Sequence, residues 1–308
     1  LADQIGKPDV IAADPFLSAA ALAAEALNVP LAVCGWPAQR DLNDEFLFPM
    51  QKTLASDSHE RIARLCQRFK LDGSNFAIGA TPSILSPHLH LSYFNEFWYQ
   101  ADTGNLLEQN LFVGGKPTPP LDAPPSWLSD IPDDEPLAVM TLGSVFTGDL
   151  GFFSWAAQAA ARARYTPIVV IGRNPITPEQ KAELKAALPR MTRLLNWIPF
   201  DHVLPRTKLI MHHGGMGTTH AAIIHGIPQI AVPHAADQRG NARRIAQAKV
   251  GLNLSAHDVR HGALLEGTLA LTNDAKIRAN ARQLADEFAV LGGADRAAVA
   301  LEEILSLQ

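Results

Sequence analysis

Short apolar runs recur along the chain, each closed by glycine, proline or polar residues and followed by a longer stretch with helical apolar spacing. Residues 10–13 are the first run; it ends in Asp14-Pro15 and passes into the Ala- and Leu-rich residues 16–27, which predicts strand, turn and helix. Asn28-Val29-Pro30 stops that helix, and residues 31–34 read as the next buried strand, giving a β-α-β unit of a parallel sheet. Residues 54–69 place Leu54, Ile62, Leu65, Cys66 and Phe69 on one approximate helical face, and residues 76–79 and 111–113 read as further strands.

The pattern breaks from 116 to 136, where seven prolines (117, 119, 120, 124, 125, 132 and 136) lie among Asp and Ser and support no regular element. This stretch reads as an interdomain linker, with Trp127 and Leu128 apolar enough to pack. Alternation then resumes. Strands are expected at 137–142, 168–171, 192–195, 209–211 and 229–232, and helices at 152–164, 178–188, 218–225 and 238–249. Helices at 277–284 and 297–307 close the chain. Strands alternating with helices at this spacing predict an open, doubly wound α/β domain.

The length of 308 residues favours two domains. The expected division is a partial first domain at 1–115, the linker, and a second domain at 137–308. An apolar fraction of 47% is that of a packed protein, and the net charge of -5 is spread without long runs, which argues against a nucleic-acid partner. Cys34 and Cys66 match no metal or redox spacing and read as buried apolar residues. No apolar run is long enough to span a membrane, so the expected location is the cytoplasm. The chain opens at Leu1 without Met, which suggests a fragment.

Candidate chemistry concentrates after the strand at 209–211, in His212-His213-Gly214-Gly215-Met216-Gly217-Thr218-Thr219. Three glycines permit positive φ and close backbone approach. The N-H groups and dipole of a helix beginning near Thr218 attract an anion. Thr218, Thr219 and His213 add side-chain donors, so the loop reads either as a diphosphate cradle or as a well-capped turn. It is no P-loop, which needs a Gly-Lys-Ser/Thr end. The dinucleotide fingerprint fails too, because His220 stands where its third glycine belongs. His212, His213, His220, His225 and His234 are close in sequence but lack a zinc-site pattern, so no metal is expected. Asp237-Gln238, at the start of a helix, can accept from and donate to vicinal hydroxyls, or Asp237 can serve merely as an N-cap. Trp197, in Trp197-Ile198-Pro199, is either a core residue or an exposed indole that stacks on a planar base.

Together these blocks resemble family-1 glycosyltransferases, the UDP-glycosyltransferase superfamily. The shared signature is Trp197-Ile198-Pro199, His213 to Thr219, Gly226-Ile227-Pro228 and Asp237-Gln238-Arg239-Gly240-Asn241, with a 24-residue step from His213 to Asp237 that matches the family. The spelling is similar to the bacterial natural-product and sterol branch. The resemblance implies a GT-B fold of two facing Rossmann-like, doubly wound domains, the first one incomplete here. It assigns Trp197 to the nucleobase with Ile198 backbone nearby, and His213, Gly215, Gly217 and Thr218 to the diphosphate. Gly143-Ser144 also approaches the phosphates, and Asp237 and Gln238 hold the donor sugar. The family's ribose-binding Glu is replaced by Ala221, and the Gln that often follows Trp-x-Pro is Phe200.

In the first half, residues 9–16 resemble the segment whose Asp, here Asp14, orients a catalytic histidine. That histidine belongs roughly a hundred residues upstream, so the general base is expected to be missing before Leu1. The implied reaction is an inverting, metal-independent transfer of a hexose from a UDP- or dTDP-sugar co-substrate, with no cofactor. The acceptor would be a hydroxyl of a small, partly apolar molecule such as a flavonoid, sterol or macrolide. The segment 36–50, with Phe46, Phe48 and Met50, reads either as a wall of the acceptor pocket or as ordinary packing. The alternatives are a nucleotide-sugar-binding fragment without catalysis, or another GT-B enzyme such as a sugar-nucleotide epimerase, against which Asp14 and the Asp237-Gln238 pair both speak.

Overall fold

The computed structural model of the chain describes residues 6–40, 49–79, 83–143, 150–173, 175–234 and 237–306. They divide into two units, Leu1–Gly115 with Val290–Gln308, and Lys116–Ala289.

In the first unit β1 (Ile11–Ala13), β2 (Leu31–Gly35), β3 (Leu89–Ser92) and β4 (Asn110–Phe112) form a parallel sheet in that order. Helix α1 (Ser18–Leu27) buries Ala21, Leu22 and Ala24 against Ala13, Leu31 and Val33. It ends at Asn28, whose left-handed φ of 49° lets its N-H turn back onto the last carbonyls. Helix α2 (Pro49–Phe69) packs only Ile62 and Cys66 of its expected face, while Leu54, Leu65 and Phe69 stay exposed.

Three expectations for this half are corrected. Residues 76–79 form no strand, Phe76 making a single antiparallel bridge to Ile84, and the third strand is β3 instead. Cys34 and Cys66 are half-buried rather than core residues, and burial pushes both thiols above their ordinary pKa.

The second unit contains α3 (Ser126–Ser129), β5 (Leu137–Thr141), α4 (Leu150–Arg162), β6 (Thr166–Val170), α5 (Pro178–Ala187), β7 (Arg193–Leu195), α6 (Phe200–Val203), β8 (Thr207–His212) and α7 (Met216–Ile224). These are followed by β9 (Gln229–Ala231), α8 (Gln238–Gln247), β10 (Gly251–Asn253), α9 (Ala256–Arg260), α10 (Ala263–Asn273) and α11 (Ala275–Ala289). Its six strands are all parallel, in the order β7-β6-β5-β8-β9-β10. Central strand β5 is buried at every residue because helices cover both faces. Ala138 and Met140 pack beside Phe152, Phe153 and Ala156 of α4, whereas Leu137 and Val139 pack on the other face with Val203, Ile210 and Ala222.

The chain works outward from β5 to β7 and then returns to the other side of β5 with β8. That reversal is a topological switch point, where the carboxyl ends of neighbouring strands open a crevice.

The Pro-rich stretch groups with the second unit, because Leu128 and Ile131 are buried beside Leu137 and Leu204. The last helix, α12 (Gly293–Leu305), departs from the expected second domain. Its Ala297, Ala300 and Ile304 pack with Ala32, Leu89, Leu91 and Val113 of the first sheet.

Candidate functional site

All the expected donor residues that are described lie in the second unit, at the carboxyl ends of its strands. Thr141 of β5 pairs in register with His212 of β8, so the segments leaving these strands, Leu142-Gly143 and His213-Gly214, start side by side at the switch point. Asp237-Gln238 follows β9 on one side of β8. Trp197 follows β7 on the other, and β7 and β8 are three strand spacings apart, about 14 Å.

His213 is held between two glycines. A Cβ at Gly143 would lie 2.9 Å from both Cε1 and Nε2 of the imidazole, and one at Gly215 would lie 2.8 Å from Cε1. Gly143 also has a φ of +83°, which side chains rarely adopt. Burial lowers the His213 pKa to about 4; nearby His234 adds to this, and the Thr141 backbone opposes it. The ring is therefore neutral at pH 7, and its buried Nδ1 reaches no partner of full hydrogen-bond geometry among the described residues. Ser144 lies outside the described residues.

Of the three loop glycines, only Gly214 takes positive φ, at +85°. A Cβ there would also lie 2.8 Å from the Gln238 carbonyl oxygen, so this glycine lets the loop close onto the start of α8. Gly215 is the N-cap of α7, which begins at Met216, earlier than the expected start near Thr218. Gly217 faces open space, and Thr218 is half-buried beside it in the first helical turn. Their N-H groups have no intrahelical acceptor at that position and point out of the helix start. The hydroxyl of Thr219 is not available to a ligand: the residue is buried and donates to Gly215 O at 2.9 Å.

His212, Gln229 and Asn241 support this loop from below, and motif spacing gave no warning of the first two. His212 is fully buried; its Nδ1 accepts from the Gly214 N-H at 3.2 Å and its Nε2 lies 3.0 Å from Gln229 Oε1. Because one nitrogen must accept, the other carries the proton and donates to Gln229. Burial lowers this imidazole to about 3, with His213 adding to the effect. Buried Asn241 donates to Gly214 O at 2.9 Å and to Asp237 Oδ2 at 3.3 Å.

Asp237 is half-buried at the N-cap of α8, but its side chain makes no capping hydrogen bond to that helix. Burial raises its pKa, and its own backbone N-H, with that of Met216 to a lesser extent, opposes the rise. The carboxylate therefore lies close to the first turn of α7. Gln238 Oε1 accepts from the His234 N-H at 2.9 Å. Trp197 is 73% exposed, which excludes the core reading, while the side chain of Ile198 is 2% exposed and anchors the segment.

In the first unit Asp14 is exposed at the carboxyl end of β1, and its Oδ1 accepts from the Phe16 N-H at 2.9 Å. Phe16, largely exposed, meets Trp36 edge-on with ring centroids 4.9 Å apart. Phe46, Phe48 and the side chain of Met50 lie outside the described residues.

The described residues contain one group of three side chains whose ligand atoms are close enough for a metal ion, Asp122, Asp201 and His202, and none of these belongs to the loop or to the Asp237-Gln238 pair. No helix among the described residues is long and apolar enough to cross a membrane.

Residues 170–303 match the erythromycin biosynthesis protein CIII-like C-terminal domain. Over 303 residues the chain is 27% identical to the NDP-glycosyltransferase YjiC of Bacillus subtilis (strain 168), spanning 97% of this chain and 73% of that enzyme. It is 31% identical to the oleandomycin glycosyltransferase of Streptomyces antibioticus over 169 residues, which is 54% of this chain and 38% of that one. The crystal structure of the glycosyltransferase VinC in complex with dTDP superposes with a TM-score of 0.71 at 21% identity, covering 100% of this chain and 74% of that one, a likeness of fold. The chain thus has two parallel Rossmann-like sheets of the GT-B type, and its similarity to these nucleotide-sugar-dependent enzymes supports a place among the family-1 natural-product glycosyltransferases.

Proposed function

We propose that this chain binds a UDP- or dTDP-hexose along the carboxyl edge of its second sheet and takes part in an inverting, metal-independent transfer to a hydroxyl of a small, partly apolar natural product. The observation that carries this is the order of side chains along that edge. Exposed Trp197 offers a face for the base. His213 and the N-H groups of Gly217 and Thr218 lie at the switch point for the diphosphate, and Asp237-Gln238 follow on the next strand for the sugar. The span of about 14 Å between the first two strands suits a nucleotide in extended form.

In the step itself the acceptor oxygen bonds to the anomeric carbon as the bond to the diphosphate oxygen breaks, and the electron pair leaves with the diphosphate. The acceptor proton passes to a histidine base that Asp14 would orient. Neutral His213 and the first-turn N-H groups donate to the leaving diphosphate, whose added charge the positive end of α7 favours.

Titration calorimetry with UDP and dTDP on the wild type, Trp197→Ala and His213→Ala tests donor binding, and mass spectrometry of products from a panel of nucleotide sugars and acceptors tests transfer. Affinity is expected to fall by about tenfold in each variant, the loss of one stacking or charge-assisted contact. Unchanged affinity in both variants would remove the assignment.

A further inference from the structure

At the opposite edge of the second sheet, where the strands begin, a cavity of about 300 Å³ opens between β8, the Gly226 turn and helices α10 and α11. Its walls carry Lys208, Arg278 and Arg282 and no carboxylate. This runs against the composition of the chain, in which 31 acidic residues outnumber 26 Lys and Arg. Arg278 and Arg282 stand one turn apart on α11, so their guanidinium groups share a face, a spacing at which like charges disfavour the helix. Among the described residues none of the three cations lies within ion-pair distance of a carboxylate; Arg278 Nη1 donates to Thr272 O at 2.6 Å. The hydroxyl of Tyr165, which also lines the cavity, makes no hydrogen bond to the protein among the described residues.

Two guanidinium forks on one helix face and an ammonium from the facing strand offer many donors and three positive charges around a space sized for a small ligand. We propose that this cavity binds a small phosphoryl dianion, either inorganic phosphate or the phosphate group of a sugar phosphate. It is separate from the diphosphate loop: Thr207 and His212 stand at opposite ends of β8, about 17 Å apart. The cavity therefore does not depend on the donor assignment. Yet β8 and α7 each run from the loop to the cavity wall, so an occupied cavity touches both elements that carry the loop.

Because phosphate also suits the diphosphate loop, the test compares two sets of variants. Orthophosphate and a hexose 6-phosphate are titrated calorimetrically into the wild type, the Arg278→Gln/Arg282→Gln double variant and His213→Ala. Binding in the wild type that weakens by at least about tenfold in the double variant, and persists in His213→Ala, supports the cavity. The tighter of the two anions then names its source. Absence of binding to the wild type, unchanged affinity in the double variant, or loss confined to His213→Ala overturns it. If the double variant fails to fold, Lys208→Met, which alters one exposed side chain, carries the same comparison.

Discussion

Nε2 of His212 and Oε1 of Gln229 lie 3.0 Å apart with neither residue exposed to solvent. Through this pair β9 fixes the tautomer of a histidine on β8, and Nδ1 of the same ring accepts the Gly214 N-H. Replacing Gln229 with Leu leaves the His212 N-H buried without an acceptor, at a cost of about 1–3 kcal/mol. Urea denaturation is expected to show that loss, and nucleotide affinity is expected to fall with it because the Gly214 turn is no longer held. Stability that drops while affinity stays unchanged would mean that His212 supports the core alone.

The buried histidines also make the fold acid-sensitive. Burial lowers His212 to about 3 and His90 and His213 to about 4. In the unfolded chain each imidazole titrates near about 6.5. Between those values the unfolded chain binds more protons than the folded one, so stability is full above about pH 6.5 and is lost as pH falls toward about 4. The urea midpoint should be clearly lower at about pH 5 than at about pH 7.5. An equal midpoint at the two values would contradict these protonation states.

Asp237 should distinguish a nucleotide from its sugar conjugate. In Asp237→Asn the isosteric amide keeps the shape of the site but loses the carboxylate acceptor. The predicted outcome is nearly unchanged affinity for the nucleoside diphosphate and a loss of about tenfold for the nucleotide sugar. Equal losses for both ligands would place Asp237 in the scaffold of the loop, through Met216 and Asn241, rather than against the sugar.

Much of this was readable in the residues themselves. The continuous apolar runs marked β2 and β5, and the spacing of Trp197, His213 and Asp237 picked out three segments that the fold brings to one sheet edge. What escaped depends on contacts distant in sequence. β3 reads Leu-His-Leu-Ser, half polar, yet all four residues are buried. Its His90 is satisfied by the Ser86 N-H at 3.0 Å and by the Trp36 carbonyl at 3.3 Å, an acceptor 54 residues away. The return of α12 to the first sheet has no local signal, since its amphipathic pattern suits any apolar face. Among the loop glycines, the one with positive φ is also the one whose Cβ would meet the Gln238 carbonyl, a contact that no spacing rule reveals.

The central claim, that a diphosphate rests against the first turn of α7, is tested most directly at Gly217. Among the described residues, and apart from its own helix backbone and chain neighbours, a methyl group there meets no atom within 4 Å, and φ is ordinary, so Gly217→Ala should fold at least as stably as the wild type, alanine being the better helix former. The same methyl group would stand where a phosphate must approach the N-H groups. Titration calorimetry with UDP and dTDP is expected to show affinity reduced by at least about tenfold at undiminished stability. Affinity equal to that of the wild type would contradict the placement of the diphosphate.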